Sequence, residues 1–223
     1  MNIAIDGPAG AGKSSIAKLA AQKLEFIYID TGAMYRAMAL YFIRQGIDCR
    51  DEASVVGHCD EIDVTIAYED GAQHIYLNGE DVSGEIRNEQ VGNNASTVAS
   101  YGKIREKLVA LQRRMAAGCN VIMDGRDIGT VVLPAAEVKI YLTASAAIRA
   151  RRRYEELEQK GIACDLEQIE KDIILRDEQD MNREISPLRQ AEDAVLLDSS
   201  DMSIDDVVQE VMRIVSRAEG DHT

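Results

Sequence analysis

The chain has 223 residues, 46% hydrophobic and 29% charged, which is enough to bury a core with a small insertion and excludes a disordered or low-complexity protein. Its 39 acidic against 25 basic residues leave a net charge of −14, a field that repels polyanions and argues against nucleic acid as a partner. No apolar run approaches the roughly 18 residues of a membrane span, and the first apolar stretch is broken by Asp6 and lacks a basic lead, so the expectation is a cytosolic protein with no membrane partner.

In chain order, residues 2–6 read as a short apolar strand, followed by a glycine-rich turn and a helix over 13–24, where Ile16, Leu19, Ala20 and Leu24 recur at helical spacing. A second strand is expected at 26–30 and a helix over 33–45, with Met34, Met38 and Tyr41 on one side. From residue 63 apolar residues alternate (Val64, Ile66, Tyr68, then Ile75 and Leu77) around an Asp-Gly pair at 70–71, which predicts a β-hairpin inserted into an α/β chain. One long helix is expected over 89–117, then strands at 121–124 and 138–142, two charged helices within 146–182, a strand at 194–197 and a terminal helix from 205. Strands alternating with helices imply a parallel sheet wrapped by helices. Cys49, Cys59, Cys119 and Cys164 form no CxxC pair, and the three histidines add no metal-ligand spacing around them. They read as reduced and structural.

Residues 7–14 are GPAGAGKS, a match to GxxxxGK[ST] that follows a strand and opens a helix as that motif requires. Gly7, Pro8, Ala9, Gly10, Ala11, Gly12, Lys13, Ser14 and Ser15 are therefore the expected ATP-binding loop. Glycines let backbone N–H groups converge on a phosphate, Lys13 reaches toward the γ-phosphate as a catalytic cation, and the Ser14 hydroxyl is suited to Mg2+. Asp124, closing the strand NVIMD, is the expected second metal-side group, through water. No NKxD segment is present to read guanine, so ATP is the expected donor.

Arginine supplies 17 of the 25 basic residues, and planar guanidinium suits phosphate. Several arginines arrive in compact packets: DTGAMYR at 30–36 with Thr31 and Arg36, NASTVA at 94–99 with Ser96, and KIRE at 103–106 with Arg105. DGRDIGTVVLP at 124–134 adds Arg126 and Asp127, and RDEQDMNR at 176–183 adds Arg176, Asp180 and Arg183, whose spacing puts all three on one helical face. Arg149, Arg152 and Arg153 are candidate lid arginines, the first and third at i, i+4.

With LNGEDVSGEIR at 77–87, VKIYLTAS at 138–145 and AVLLDSS at 194–200, these packets closely resemble the bacterial cytidylate kinases, nucleoside monophosphate kinases of P-loop type, over nearly the whole chain. The resemblance implies an α/β fold with a five-stranded parallel sheet wrapped by helices. It also implies an acceptor-binding insertion at about 58–95 and a helical lid at about 153–165 in a single kinase domain whose core is about 1–57, 96–152 and 166–223. The implied reaction is phosphoryl transfer from ATP to CMP or dCMP, in pyrimidine metabolism. Carried over by the resemblance, Ser96, Arg105 and Asp127 face the cytosine edge, Arg176 and Asp180 the sugar, and Thr31, Arg36, Arg126 and Arg183 the acceptor phosphate. Lys13, Arg126, Arg153 and Arg183 are then the catalytic cations, and Arg149 and Arg153 complete the ATP site. Some relatives carry further arginines where this chain has Gln179 and Met181, which shifts load onto the stretch Arg149 to Arg153. A monomer is expected. A broader pyrimidine monophosphate kinase, another P-loop kinase of a small acceptor, and an ATP-binding regulator without transferase activity stay open as alternatives.

Overall fold

The computed structural model describes residues 1–69 and 72–220. Along the chain it runs β1 (Asn2–Asp6), α1 (Lys13–Leu24), β2 (Ile27–Asp30), α2 (Thr31–Arg44), α3 (Glu52–His58), β3 (Val64–Glu69), β4 (Ala72–Leu77), β5 (Glu80–Asp81), α4 (Glu89–Val98) and α5 (Gly102–Ala116). There follow β6 (Val121–Gly125), β7 (Val138–Thr143), α6 (Ala146–Gln159), α7 (Leu166–Asn182), β8 (Val195–Asp198) and α8 (Ile204–Gly220). The chain divides into two compact units, Met1–Tyr28 with Gly118–Thr223, and Ile29–Ala117.

The first unit is built on a five-stranded parallel sheet in the order β2-β6-β1-β7-β8. β1 is central, in register with β6 (Asn2↔Val121) and β7 (Ile3↔Val138). A central parallel strand is covered on both faces, which is why Ile3, Ala4 and Ile5 form a continuous apolar run with no exposure. Ile16, Ala17, Ala20 and Ala21 of α1 and Val207, Val208, Val211, Ile214 and Val215 of α8 pack with Ile5, Ile122, Ile140 and Leu142 into one core. The small side chains of α1 let its axis approach closely.

The second unit has its own core, in which Met34, Met38 and Phe42 of α2 meet Ile62, Ile75, Ile86, Ile104 and Leu108. The expected hairpin is β3 paired antiparallel with β4, Val64 opposite Leu77 and Ile66 opposite Ile75. Its Asp-Gly turn at 70–71 lies outside the described residues. The unit is wider than the 58–95 insertion anticipated from sequence and includes α2 and α5.

The expected helix over 89–117 is two helices. α4 ends at Val98, Tyr101 is extended (φ −84°, ψ 126°), and α5 begins at Gly102. Tyr101 leaves the helical path so that its hydroxyl donates to the Cys49 carbonyl at 2.9 Å, while Arg105 Nη1 donates to the Ala99 carbonyl at 3.4 Å, a group that the break deprives of its helical partner. α3, capped by the Asp51 carboxylate at Ser54 N–H, and a five-residue π-type turn at Ile128–Val132 were not foreseen.

Candidate active site

The loop between β1 and α1 has the backbone its glycines demand. Gly7 sits at φ +150°, and a Cβ there would lie 1.9 Å from the Leu142 carbonyl oxygen, so no other residue lets the loop pass β7. Gly12, left-handed at φ 83°, turns the chain into α1 and offers no side-chain acceptor to its first turn. The N–H groups at that end of α1 are thus available to an anion, and the positive end of the helix dipole faces the same way.

Lys13 is buried, and its Nζ donates to the Pro8 carbonyl of its own loop at 2.7 Å. Burial first, and then the charge of Arg126, push its ammonium down to about 7, against the opposing pull of Asp124, Asp180 and Asp6. Ser14 Oγ donates to Asp124 Oδ2 at 2.9 Å, and Tyr28 Oη donates to Asp124 Oδ1 at 2.9 Å. Ser14 and the buried Asp124 are therefore adjacent, as expected, and both offer oxygen. Among the described residues no group of three or more His, Cys, Asp or Glu could hold a metal ion. One hydroxyl and one carboxylate match the few protein ligands of a Mg2+ that also takes phosphate and water, so the residues present fit that ion.

Asp6, which the motif reading passed over, closes β1 and accepts the N–H groups of Ile128 at 2.8 Å and Gly129 at 2.7 Å. Burial raises its carboxyl to about 6, and the two backbone hydrogen bonds only partly reverse this. Asp6 thereby ties the central strand to the π-type turn that starts beside Asp127. The signal for it was a lone acid ending an otherwise apolar strand.

On the sheet side of the first unit, Arg126 Nε donates to Asp180 Oδ2 at 2.8 Å, and Arg183 Nη2 lies 3.8 Å from Asp127 Oδ1. Burial alone would raise the carboxyl of Asp180, but the charge and hydrogen bond of Arg126, with Arg183 and Arg176 beyond, hold it below its ordinary value. Arg176, Asp180 and Arg183 do not form one helical row, because α7 ends at Asn182 and Arg183 is extended (φ −62°, ψ 142°), its Nε donating to the Ser186 carbonyl at 2.5 Å. Asp180 accepts from Arg126, which follows β6 directly.

The lid arginines differ in what they touch. Arg149 is buried and holds Asp177 with two bonds, Nη1 to Oδ1 at 3.1 Å and Nη2 to Oδ2 at 2.5 Å. Its Nε donates to the Ala144 carbonyl at 2.8 Å and its Nη1 to the Ala9 carbonyl at 2.8 Å. Arg152 donates to the Ser199 carbonyl at 2.6 Å. Arg153 is exposed and pairs with Glu156 on its own helix at 2.8 Å.

The second unit gathers Thr31, Arg36, Ser96 and Arg105 on α2, α4 and α5. Thr31 is buried in the first turn of α2, whose start is capped by Asp30 accepting from Ala33 N–H at 2.9 Å. Arg87 Nη1 lies 3.3 Å from Asp30 Oδ2, a pair the sequence reading did not single out. Arg36 Nη1 donates to the Ile86 carbonyl at 3.1 Å, and Gly92 leaves room for it, since a Cβ there would come within 3.0 Å of Nη1. Arg105 is buried, with its guanidinium carbon 5.8 Å from the centre of the Tyr35 ring. Ser96 is half-buried on α4.

Comparison with known proteins gives these groups a context. A family model for cytidylate kinase matches residues 3–217. The cytidylate kinase of Lactobacillus johnsonii is 51% identical over 217 residues, 97% of this chain and 94% of that protein, and that of Halalkalibacterium halodurans is 50% identical over 215 residues, 96% and 97%. A gluconokinase structure from Sinorhizobium meliloti, 15% identical, superposes with a TM-score of 0.51 over 99% of this chain and 95% of its own, which supports the fold. The chain belongs to the cytidylate kinase family.

Proposed function

We propose that this chain transfers the γ-phosphoryl group of ATP to CMP or dCMP, giving ADP and CDP or dCDP. The observation that carries the reading is the phosphate loop with buried Lys13 at its end, in a chain whose length matches that of cytidylate kinases at about half identity. In this proposal Gly7–Ser15 cradle the ATP phosphates, and Lys13 leaves the Pro8 carbonyl to meet the γ-phosphoryl oxygens. Ser14 and Asp124 would hold Mg2+, which when bound neutralises charge on the donor phosphates. Arg126 and Arg183 offset charge on the acceptor phosphate, and the exposed Arg153 is the lid cation free to reorient from Glu156 toward the moving phosphoryl group.

Thr31, Arg36, Ser96, Arg105, Asp127, Arg176 and Asp180 are proposed to bind the acceptor. Cytosine presents an amino donor at N4 beside the acceptors N3 and O2, so an aspartate with a serine accepts from N4 while an arginine donates. No general base is required, because the second pKa of a phosphomonoester is near 6 and the acceptor is already largely a dianion at neutral pH. Residues 58–95 and 153–165 are proposed as the acceptor-binding insertion and the lid of a cytosolic monomer. The test is ADP release with CMP, dCMP, UMP and AMP under identical conditions. Turnover led by CMP and dCMP is expected; equal or greater turnover of AMP or UMP would defeat the assignment.

A further inference from the structure

Asp177 is a buried carboxylate with no part in the reaction proposed above. It sits on α7, in the stretch that also carries Arg176 and Asp180, and its two oxygens take both terminal nitrogens of Arg149. That guanidinium gives two further N–H bonds to carbonyls, those of Ala144 just past β7 and of Ala9 inside the phosphate loop. A guanidinium has five N–H bonds in a rigid plane, and four are engaged here. The carboxylate sets the angle of that plane, and the plane in turn fixes the Ala9 carbonyl.

The consequence for the loop follows from peptide geometry. In a trans peptide the carbonyl of one residue and the N–H of the next point in opposite directions. Holding the Ala9 oxygen on Arg149 therefore aims the Gly10 N–H away from Arg149, as a concave anion cradle of backbone N–H groups requires. The neighbouring peptide is held differently. Its oxygen, that of Pro8, is bound by Lys13, and in the proposed reaction that contact is given up to phosphate. The Ala9–Gly10 peptide is thus held in an orientation that does not depend on Lys13.

We infer that Asp177 is a positioning residue for nucleotide binding: through Arg149 it locks the Ala9–Gly10 peptide so that the loop stays shaped for the donor phosphates when Lys13 moves. This rests on the reading of the loop as the donor site, and it makes Arg149 a strut of that loop, whereas the sequence suggested a ligand of ATP. The competing reading is that Asp177 restrains Arg149 from the nucleotide, so that freeing the arginine strengthens binding.

Asp177→Asn keeps the shape of the side chain and removes its charge. Calorimetric titration of the full chain with magnesium ADP, and separately with CMP, is expected to show ADP binding weakened by roughly 10- to 100-fold, the effect of losing one buried charged hydrogen-bond pair, with CMP binding within about twofold of the parent. In steady state the KM for ATP rises while the KM for CMP holds. Arg149→Lys, which keeps the positive charge and loses the planar fork, is expected to give the same split and carries the test should the first variant not fold. Unchanged or tighter ADP binding, or equal weakening of both ligands, overturns the inference. If the parent protein itself binds ADP and not CMP, the acceptor assignment fails and the ADP comparison still decides the role of Asp177.

Discussion

Lys13 resting on the carbonyl of Pro8 and Asp6 holding two backbone N–H groups are both buried charges whose titration is displaced, in opposite senses. Asp6 binds its proton more tightly in the folded chain, up to about 6 from an ordinary 3.8, so its contribution to stability is complete at low pH and declines as pH rises through about 6. Lys13, lowered from 10.5 to about 7, weakens the fold below about 7 and gives that stability back as pH climbs toward 10.5. Without nucleotide the two together predict a trough of stability between about pH 6 and 7. Urea unfolding from pH 4 to 9 should show it, and Asp6→Asn should flatten its acidic side; a profile that rises steadily from pH 4 to 7 would contradict the assignment. The same displacement governs ligand binding. Polyphosphate restores the full charge of Lys13, so ATP binding at pH 8 should take up close to one proton, read by calorimetry in buffers of different ionisation enthalpy, and Lys13→Ala should abolish the uptake. Asp180 gives a third expectation. On its proposed role in acceptor binding, Asp180→Asn removes the charge that would hold the acceptor and leaves Arg126 without its counterion, and kcat/KM for CMP should fall by roughly 10- to 1000-fold while ATP affinity stays near that of the parent. Equal loss for both ligands would make the pair purely structural.

Among elements, the break between α4 and α5 coincides with Tyr101 reaching the Cys49 carbonyl. Tyr101→Phe leaves the ring in place and removes that bond, so a loss of about 1 kcal/mol in unfolding free energy is expected, and no loss would mean that the break is set by the backbone alone. This junction also marks where sequence reading reaches its range. The helix α1 was legible to the residue, because a glycine loop and a periodic apolar face bound it on both sides. The break was not, because Val91, Val98, Arg105 and Gln112 recur seven residues apart straight through it and the groups that terminate α4 lie far away in the chain. Arg183 was misplaced for a similar reason: spacing assigns a residue to a helical face only while the helix lasts, and α7 stops one residue earlier. GPAGAGKS was readable since its residue types are dictated locally, whereas Asp6 and Asp177 gain their roles from partners more than 25 positions away.

At the scale of the molecule, the partition into two cores was only half visible. Alternation around residues 64–77 revealed a second texture, yet α2 and α5 read as ordinary amphipathic helices, and nothing in a helical face says which core it joins. The resulting arrangement, in which Ile29–Ala117 interrupts a unit made of both chain ends, has a bearing on synthesis. β1 leaves the ribosome before the other strands of its sheet, and the strands on either side of it, β6 and β7, are made more than 110 residues later. Meanwhile every residue of the interrupting unit has been produced. The nascent protein should therefore acquire protease resistance in two stages, first over 29–117 and only afterwards in the five-stranded sheet, whose apolar central strand must be kept from other partners throughout the interval. Chains stalled far enough beyond residue 117 for that whole segment to have emerged from the ribosome, and exposed briefly to protease, would reveal the first stage; complete digestion of that segment would mean that the core of the second unit needs the finished sheet before it can form.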